Sequence, residues 1–158
     1  SPHGPGRDAS GPAPAGTSHA AAELSDSFLR VPLVVWGPLP FRGGQLRRDP
    51  ALLVDVLPTV LAAFRIGPDW RLPGRSLDSW EPDDPVVGYA EAVPAGDDAP
   101  PVGSIRTGGW KLIESEPPQL FHVALDPGER EELAAAEEAR VDSLRARLEE
   151  LTTHVPHP

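Results

Sequence analysis

The stretch "SIRTGGWKLI", Ser104 to Ile113, decides the fold that the sequence predicts for the second half of the chain. Two short strand candidates, Val102 to Thr107 and Trp110 to Glu114, flank the pair Gly108-Gly109. Two residues is the length of a tight β-hairpin loop, and glycine tolerates the positive φ that such turns require. The stretch therefore predicts an antiparallel hairpin.

Two further strand candidates lie on either side of this hairpin, "VVGYAE" from Val86 to Glu91 and "QLFHV" from Gln119 to Val123. From Glu129 the chain is rich in Glu, Ala, Arg and Leu, and its apolar residues step by three and four, as in an amphipathic helix. These apolar residues are Val141, Leu144, Leu148 and Leu151. Residues 86–158 are thus predicted to form a small antiparallel sheet packed on a C-terminal helix.

The first half of the chain predicts one strand and one helix. "VPLVVW", residues 31–36, is short, apolar and β-branched, which is typical of a strand buried on both faces. Residues 50–64 predict a helix with Asp49 as its N-cap and Pro50 at its first position. Pro58 lies inside this helix and should kink it or divide it into two pieces. We expect residues 24–85 to be the tail of an α/β layer.

Composition limits the remaining possibilities. Residues 1–23 are mostly Gly, Pro, Ser and Ala without periodicity, which predicts a flexible segment. The formal charge of −10 argues against nucleic acid as the main partner, since a phosphate backbone requires clustered cations. No apolar stretch approaches the roughly 18 residues of a membrane helix, so we expect a soluble chain. The absence of cysteine excludes a disulfide and a Cys-ligated zinc site.

Six stretches in a fixed order resemble the C-terminal part of the sulfatase family, within the alkaline phosphatase superfamily. They are "LRVPLVVWGP" (Leu29 to Pro38), "LVDVLPTVLAAFRI" (Leu53 to Ile66), "PGRSL" (Pro73 to Leu77), "SIRTGGWKLI", "QLFHV" and "LDPGEREELA" (Leu125 to Ala134). The family typically reads R-V-P-L-I-V-x-G-P, V-D-L-x-P-T-L-L-x-L-A-G, G-R-S-L, R-x-G-x-W-K-L-I, E-L-F-D-L and D-P-x-E-x-x-N-L-A. The resemblance implies the C-terminal fragment of an alkaline-phosphatase-like α/β fold, with an antiparallel sheet against a terminal helix.

The resemblance also implies a chemistry for the complete enzyme, the hydrolysis of a sulfate ester. A formylglycine hydrate attacks sulfur, a divalent cation (usually calcium) polarises the sulfate, and Lys and His residues offset the developing charge. The formylglycine arises from a C/S-x-P-S-R motif, which this sequence does not contain. Three observations predict that an N-terminal catalytic part is missing. The motif is absent, the sequence contains no Met, and the one predicted buried strand has no neighbouring strands. That missing part is the expected partner, and the isolated chain is expected to be inactive and to bind no calcium.

Two histidines are the candidate site residues that the resemblance implies. "SPHG" aligns with the family's S-D-H/N-G metal loop, which makes His3 a candidate metal ligand, although Pro2 stands where the family has aspartate. His19 aligns with a histidine that contacts the sulfate, but Ala20 to Ala22 occupy the stretch where a lysine is expected. We therefore also expect that the site has decayed.

Other polar residues within these motifs are predicted to support the fold. Lys111 should point away from Trp110 and Leu112 because strand side chains alternate. Asp55 and Thr59 are expected to pack or cap rather than to catalyse. Two alternatives to a truncated sulfatase stay open. One is a non-catalytic remnant or interaction module, and the other is a phosphodiesterase or phosphonate hydrolase of the same superfamily.

Overall fold

The computed structural model describes residues 19–37, 43–47, 50–67, 72–78, 86–93 and 100–153. The chain divides into two compact units. One comprises residues 1–31 and 87–158 and is called the sheet unit here, and the other comprises residues 32–86. The chain is mixed α/β, with helices and a four-stranded antiparallel sheet. None of the helices in the described ranges combines the length and the apolar character needed to cross a membrane.

The sheet is an antiparallel meander in which the strands pair in chain order. It consists of β1 (Gly88–Ala92), β2 (Val102–Thr107), β3 (Trp110–Ile113) and β4 (Gln119–Phe121). Gly108 and Gly109 join β2 to β3 with φ of 56° and 81°, which is the pair of positive values that a type I′ turn needs. The predicted hairpin and all four predicted strands are confirmed.

One face of the sheet packs on a C-terminal helix, as predicted. The helix, labelled α4, spans Glu138–Thr153 and so begins later than the Glu-rich sequence does. Its buried residues pack against side chains of β2, β3 and β4, and each such residue contributes about 1.5–3 kcal/mol by leaving water. The two contacting sets are Val141, Leu144 and Leu148 of α4 and Ile105, Leu112 and Leu120 of the sheet.

The opposite face of the sheet is covered by two short helices that the sequence did not indicate. They are α1 (His19–Glu23) and α2 (Asp26–Leu29). Small apolar side chains of this segment lie against apolar side chains of the sheet, forming a second core of Ala20, Ala21, Leu24, Ala92, Ile113, Phe121 and Val123. The prediction of flexibility for residues 1–23 is therefore wrong for residues 19–23, because alanine is small enough to pack closely on the sheet. Residues 1–18 lie outside the described residues.

In the unit of residues 32–86, the predicted helix is present but shorter and divided. A 3₁₀ turn over Leu53–Asp55 leads into α3, Val56–Ala63. Pro58 lies in the first turn of α3, where its missing N–H is tolerated, and α3 continues through it; the change from 3₁₀ to α-helix occurs between Asp55 and Val56. The start at residue 50 is wrong, since Pro50 to Leu52 precede the helical turns, and Asp49 lies outside the described residues.

The predicted strand at residues 31–36 is wrong. All six residues are described, and they form no regular secondary structure. Their side chains are exposed, with Trp36 at 96%. A strand needs neighbouring strands to accept and donate its backbone hydrogen bonds. An apolar, β-branched run fits a buried strand only where those neighbours exist.

Candidate functional site

Lys111 is a buried lysine and lies at the centre of a group of charged side chains. It is in β3, where strand alternation directs it away from Leu112 and the α4 face, as predicted. Only 1% of the residue is exposed. Its Nζ lies 3.1 Å from Asp26 Oδ1 and 2.6 Å from Glu129 Oε1. A buried ammonium needs such partners, because desolvation without them is costly.

Two further contacts complete this group, which we call the charge cluster: Asp26, Arg106, Lys111 and Glu129. Arg106 Nη1 lies 2.5 Å from Asp26 Oδ2. The backbone N–H of Asp26 donates to Glu129 Oε2 at 2.9 Å. Although burial by itself raises the pKa of Asp26, Lys111 and Arg106 hold the pKa of that carboxyl below its ordinary value. Two carboxylates thus meet two cations, and the cluster is balanced in charge.

The charge cluster is suited to holding chain segments together rather than to chemistry on a substrate. The Lys111 Nζ donates to two carboxylates and is therefore engaged, not a free nucleophile. The carboxylates in turn are engaged by cations and by a backbone N–H. The charge cluster therefore offers no open carboxylate for a metal ion, and the loop around His3, to which the resemblance assigns the calcium, lies outside the described residues. Within the described ranges, no group of three or more His, Cys, Asp or Glu residues could hold a metal ion.

A second polar group joins the two motifs of the other unit. The carboxylate of Asp55 accepts from the N–H of Leu52 at 2.8 Å and from the N–H of Arg75 at 3.0 Å. The hydroxyl of Thr59 donates to the Asp55 carbonyl at 2.6 Å and accepts from the N–H of Leu77 at 3.0 Å. Asp55 and Thr59 are thus buried packing and capping residues, and the prediction for them is confirmed.

A glycine makes this junction possible. A Cβ on Gly74 would lie 2.0 Å from the Val54 carbonyl oxygen, which is too close for any side chain. The "GRSL" stretch can therefore approach the helical turn only with glycine at this position. The helix itself ends in a Schellman motif, in which Arg65 occupies the left-handed position at φ 58°. The family pattern has glycine at that position.

The candidate site residues from the sequence are not brought together by the described structure. His19 begins α1 with its side chain 89% exposed, and its Nε2 lies 3.3 Å from Glu23 Oε1. His3 lies outside the described residues. The sequence predicts a fold role for Lys111 but does not indicate its partners Asp26, Arg106 and Glu129, which are far apart in sequence and carry no motif that links them.

A shallow groove of about 230 Å³ runs between the sheet edge and α4. Its lining includes Tyr89, Glu91, Glu114 and Glu149. The Tyr89 hydroxyl donates to Glu91, and burial together with this carboxylate raises the pKa of Tyr89 to about 12. The groove is acidic. Within the part of the chain that the structure describes, the cation in close contact with it is Arg145, whose Nη2 lies 3.0 Å from Glu114 Oε1.

Two comparisons with known proteins were negative. No protein-family model matches the chain. The search of curated proteins likewise returns no match.

Proposed function

We propose that this chain is the C-terminal portion of a sulfatase-like hydrolase, whose complete enzyme hydrolyses sulfate esters. The observation that carries the proposal is the ordered set of six sequence stretches that resemble this family. In this reading the chain completes and supports a catalytic part that lies outside it. The chain itself supplies packing and positioning rather than the nucleophile.

The contacts of the motif residues support this reading. In the "VDVLPT" and "GRSL" stretches, Asp55 accepts from the N–H of Arg75, and Gly74 allows the close approach. In the "WKLI" stretch, Lys111 pairs with two carboxylates. The residues that carry the resemblance thus have packing and positioning roles in this fold, as the proposal requires.

The surface of α3 supports a missing partner. Its buried face is polar, because Asp55 and Thr59 are four residues apart and both pack inward. Its other face is apolar and exposed within the described structure, with Leu57 at 52% and Val60 at 46%, and the flanking Leu53 and Phe64 are exposed to 84% and 73%. Large apolar surfaces usually mark interaction sites. We propose that the N-terminal catalytic part of the same fold covers this face.

One observation favours the second candidate, a non-catalytic remnant. Ala20 and Ala21 lie where the resemblance expects a sulfate-contacting lysine, and both are buried against the sheet. A lysine could not replace either alanine without burying its charge. The segment is therefore adapted to packing, in agreement with loss of the site.

The test has two parts. The purified chain, assayed on an aryl sulfate with added calcium, is expected to show no turnover, and clear turnover would contradict the proposal. The coding region immediately upstream should then contain an in-frame C/S-x-P-S-R motif. A region without this motif would favour the remnant. If the motif is present, parallel assays of the longer protein on sulfate esters, phosphate diesters and phosphonate esters separate the sulfatase from the other hydrolases.

A further inference from the structure

Residues 19–31, which we call the strap, are attached to the sheet unit in an unusual way. Their apolar contribution is limited to the small side chains of Ala20 and Ala21 and to Leu24. Phe28 and Leu29 are largely exposed, so the second half of the strap adds little apolar burial. The remaining attachment is polar and is concentrated at Asp26.

Asp26 makes three separate contacts with the rest of the sheet unit. Its carboxylate pairs with Arg106 of β2 and with Lys111 of β3. Its backbone N–H donates to Glu129, which follows β4. Asp26 is therefore linked to β2, to β3 and to the chain segment that follows β4. The side chains of Ser25 and Ser27 bond to each other on the surface.

We propose that the strap opens from the sheet as a unit while the sheet stays folded, and that the carboxylate of Asp26 is the group that holds it closed. This inference does not rest on the proposed function. It assigns a conformational device to the fold, in which opening uncovers Lys111 and moves His19 at the start of the strap.

The sheet has what it needs to stay folded when the strap opens. Its other face has its own core, in which Ile105, Leu112 and Leu120 are fully buried against α4. The backbone pairing of the four strands does not involve the strap. The apolar attachment of the strap is confined to Ala20, Ala21 and Leu24, and local opening of such a short segment is an ordinary motion of a folded protein.

The groups that face Asp26 are the cations Arg106 and Lys111 and the carboxylate Glu129. Protonation of Asp26 removes the charge that pairs with both cations, so acid should open the strap. A carboxyl whose pKa is lowered in the closed state stabilises that state above its ordinary pKa of 3.8. The stabilisation is lost as the pH falls below this value. At neutral pH the strap is closed.

The decisive experiment is amide hydrogen exchange on the full chain at neutral pH, comparing Asp26→Asn with the wild type. Asparagine keeps the shape but removes the charge, and we expect the protection of the Leu24 and Phe28 amides to fall roughly 100-fold. The amides of β3 should keep their protection. Asp142→Asn is the matched control, because Asp142 pairs with Arg145 on the surface of α4, and it should change neither set.

A second variant covers the case in which Asp26→Asn leaves too much unpaired charge for the sheet to fold. Asp26→Asn combined with Lys111→Met removes one charge of each sign from the charge cluster. We expect an open strap on a folded sheet. Strap protection equal to that of the wild type would overturn the role of Asp26. Loss of β3 protection together with strap protection in this double variant would overturn opening as a unit.

Discussion

Replacing Gly74 by alanine should detach residues 72–78 from the helical turn on which they pack. The added Cβ would lie 2.0 Å from the Val54 oxygen and 2.8 Å from the Asp55 nitrogen, whereas real Cβ contacts are essentially never below 3.0 Å. The loop must therefore shift by about 1 Å, which takes a hydrogen bond of 3.0 Å outside the usual range of 2.7–3.2 Å. Two such bonds are at stake, from the N–H of Arg75 and from the N–H of Leu77.

The cost follows from what these two bonds satisfy. One acceptor is the buried carboxylate of Asp55 and the other is the buried hydroxyl of Thr59. The carboxylate keeps the N–H of Leu52 and the hydroxyl keeps the Asp55 carbonyl, so each group loses one hydrogen bond. Such a bond is worth about 1.5–3 kcal/mol at the charged carboxylate and about 0.5–1.5 kcal/mol at the hydroxyl. We therefore expect Gly74→Ala to lower the free energy of unfolding of this unit by about 2–4 kcal/mol.

Urea unfolding gives the free energy, and hydrogen exchange of the Arg75 and Leu77 amides shows whether the loop has detached. Gly67→Ala is the control in the same unit, because a Cβ there meets nothing within 4 Å. It should be neutral or slightly stabilising. An unchanged midpoint and unchanged protection of both amides in Gly74→Ala would refute the role given to this glycine.

Three further predictions concern single side chains. Arg65→Gly should stabilise the chain by about 1 kcal/mol in urea unfolding, because glycine adopts the left-handed conformation without strain, and a loss of stability would contradict this. Tyr89 is the only tyrosine in the sequence, so an absorbance titration reports it alone. It should titrate near pH 12 in the wild type, because burial and the Glu91 carboxylate raise its pKa, and Glu91→Gln should lower that pKa while the effect of burial stays; an unchanged pKa would contradict the role of Glu91. Stability that depends on the neutral phenol should correspondingly be lost as the pH rises towards 12. Leu144→Ala should cost about 2–5 kcal/mol in thermal unfolding because it leaves a cavity between α4 and the sheet, and a cost below 1 kcal/mol would show that α4 is not closely packed.

The antiparallel sheet and the C-terminal helix were predictable because their signals are local. Alternation along a strand, two glycines between strands and a three- and four-residue apolar spacing act over a few residues. The same locality explains the errors. The run at residues 31–36 has the composition of a buried strand, but composition does not supply the neighbouring strands that its backbone requires.

The candidate site shows the division between sequence and tertiary structure most clearly. The sequence by itself determined that Lys111 points away from Leu112 and that Asp55 and Thr59 pack or cap within a helical segment. Only the tertiary structure decided that Lys111 meets Asp26, which is 85 residues away, and that Ala20 and Ala21 cover the sheet. The physical reason is that burial of a charge or of a small apolar side chain depends on which distant segments meet, and the spacing of neighbouring residues does not encode that.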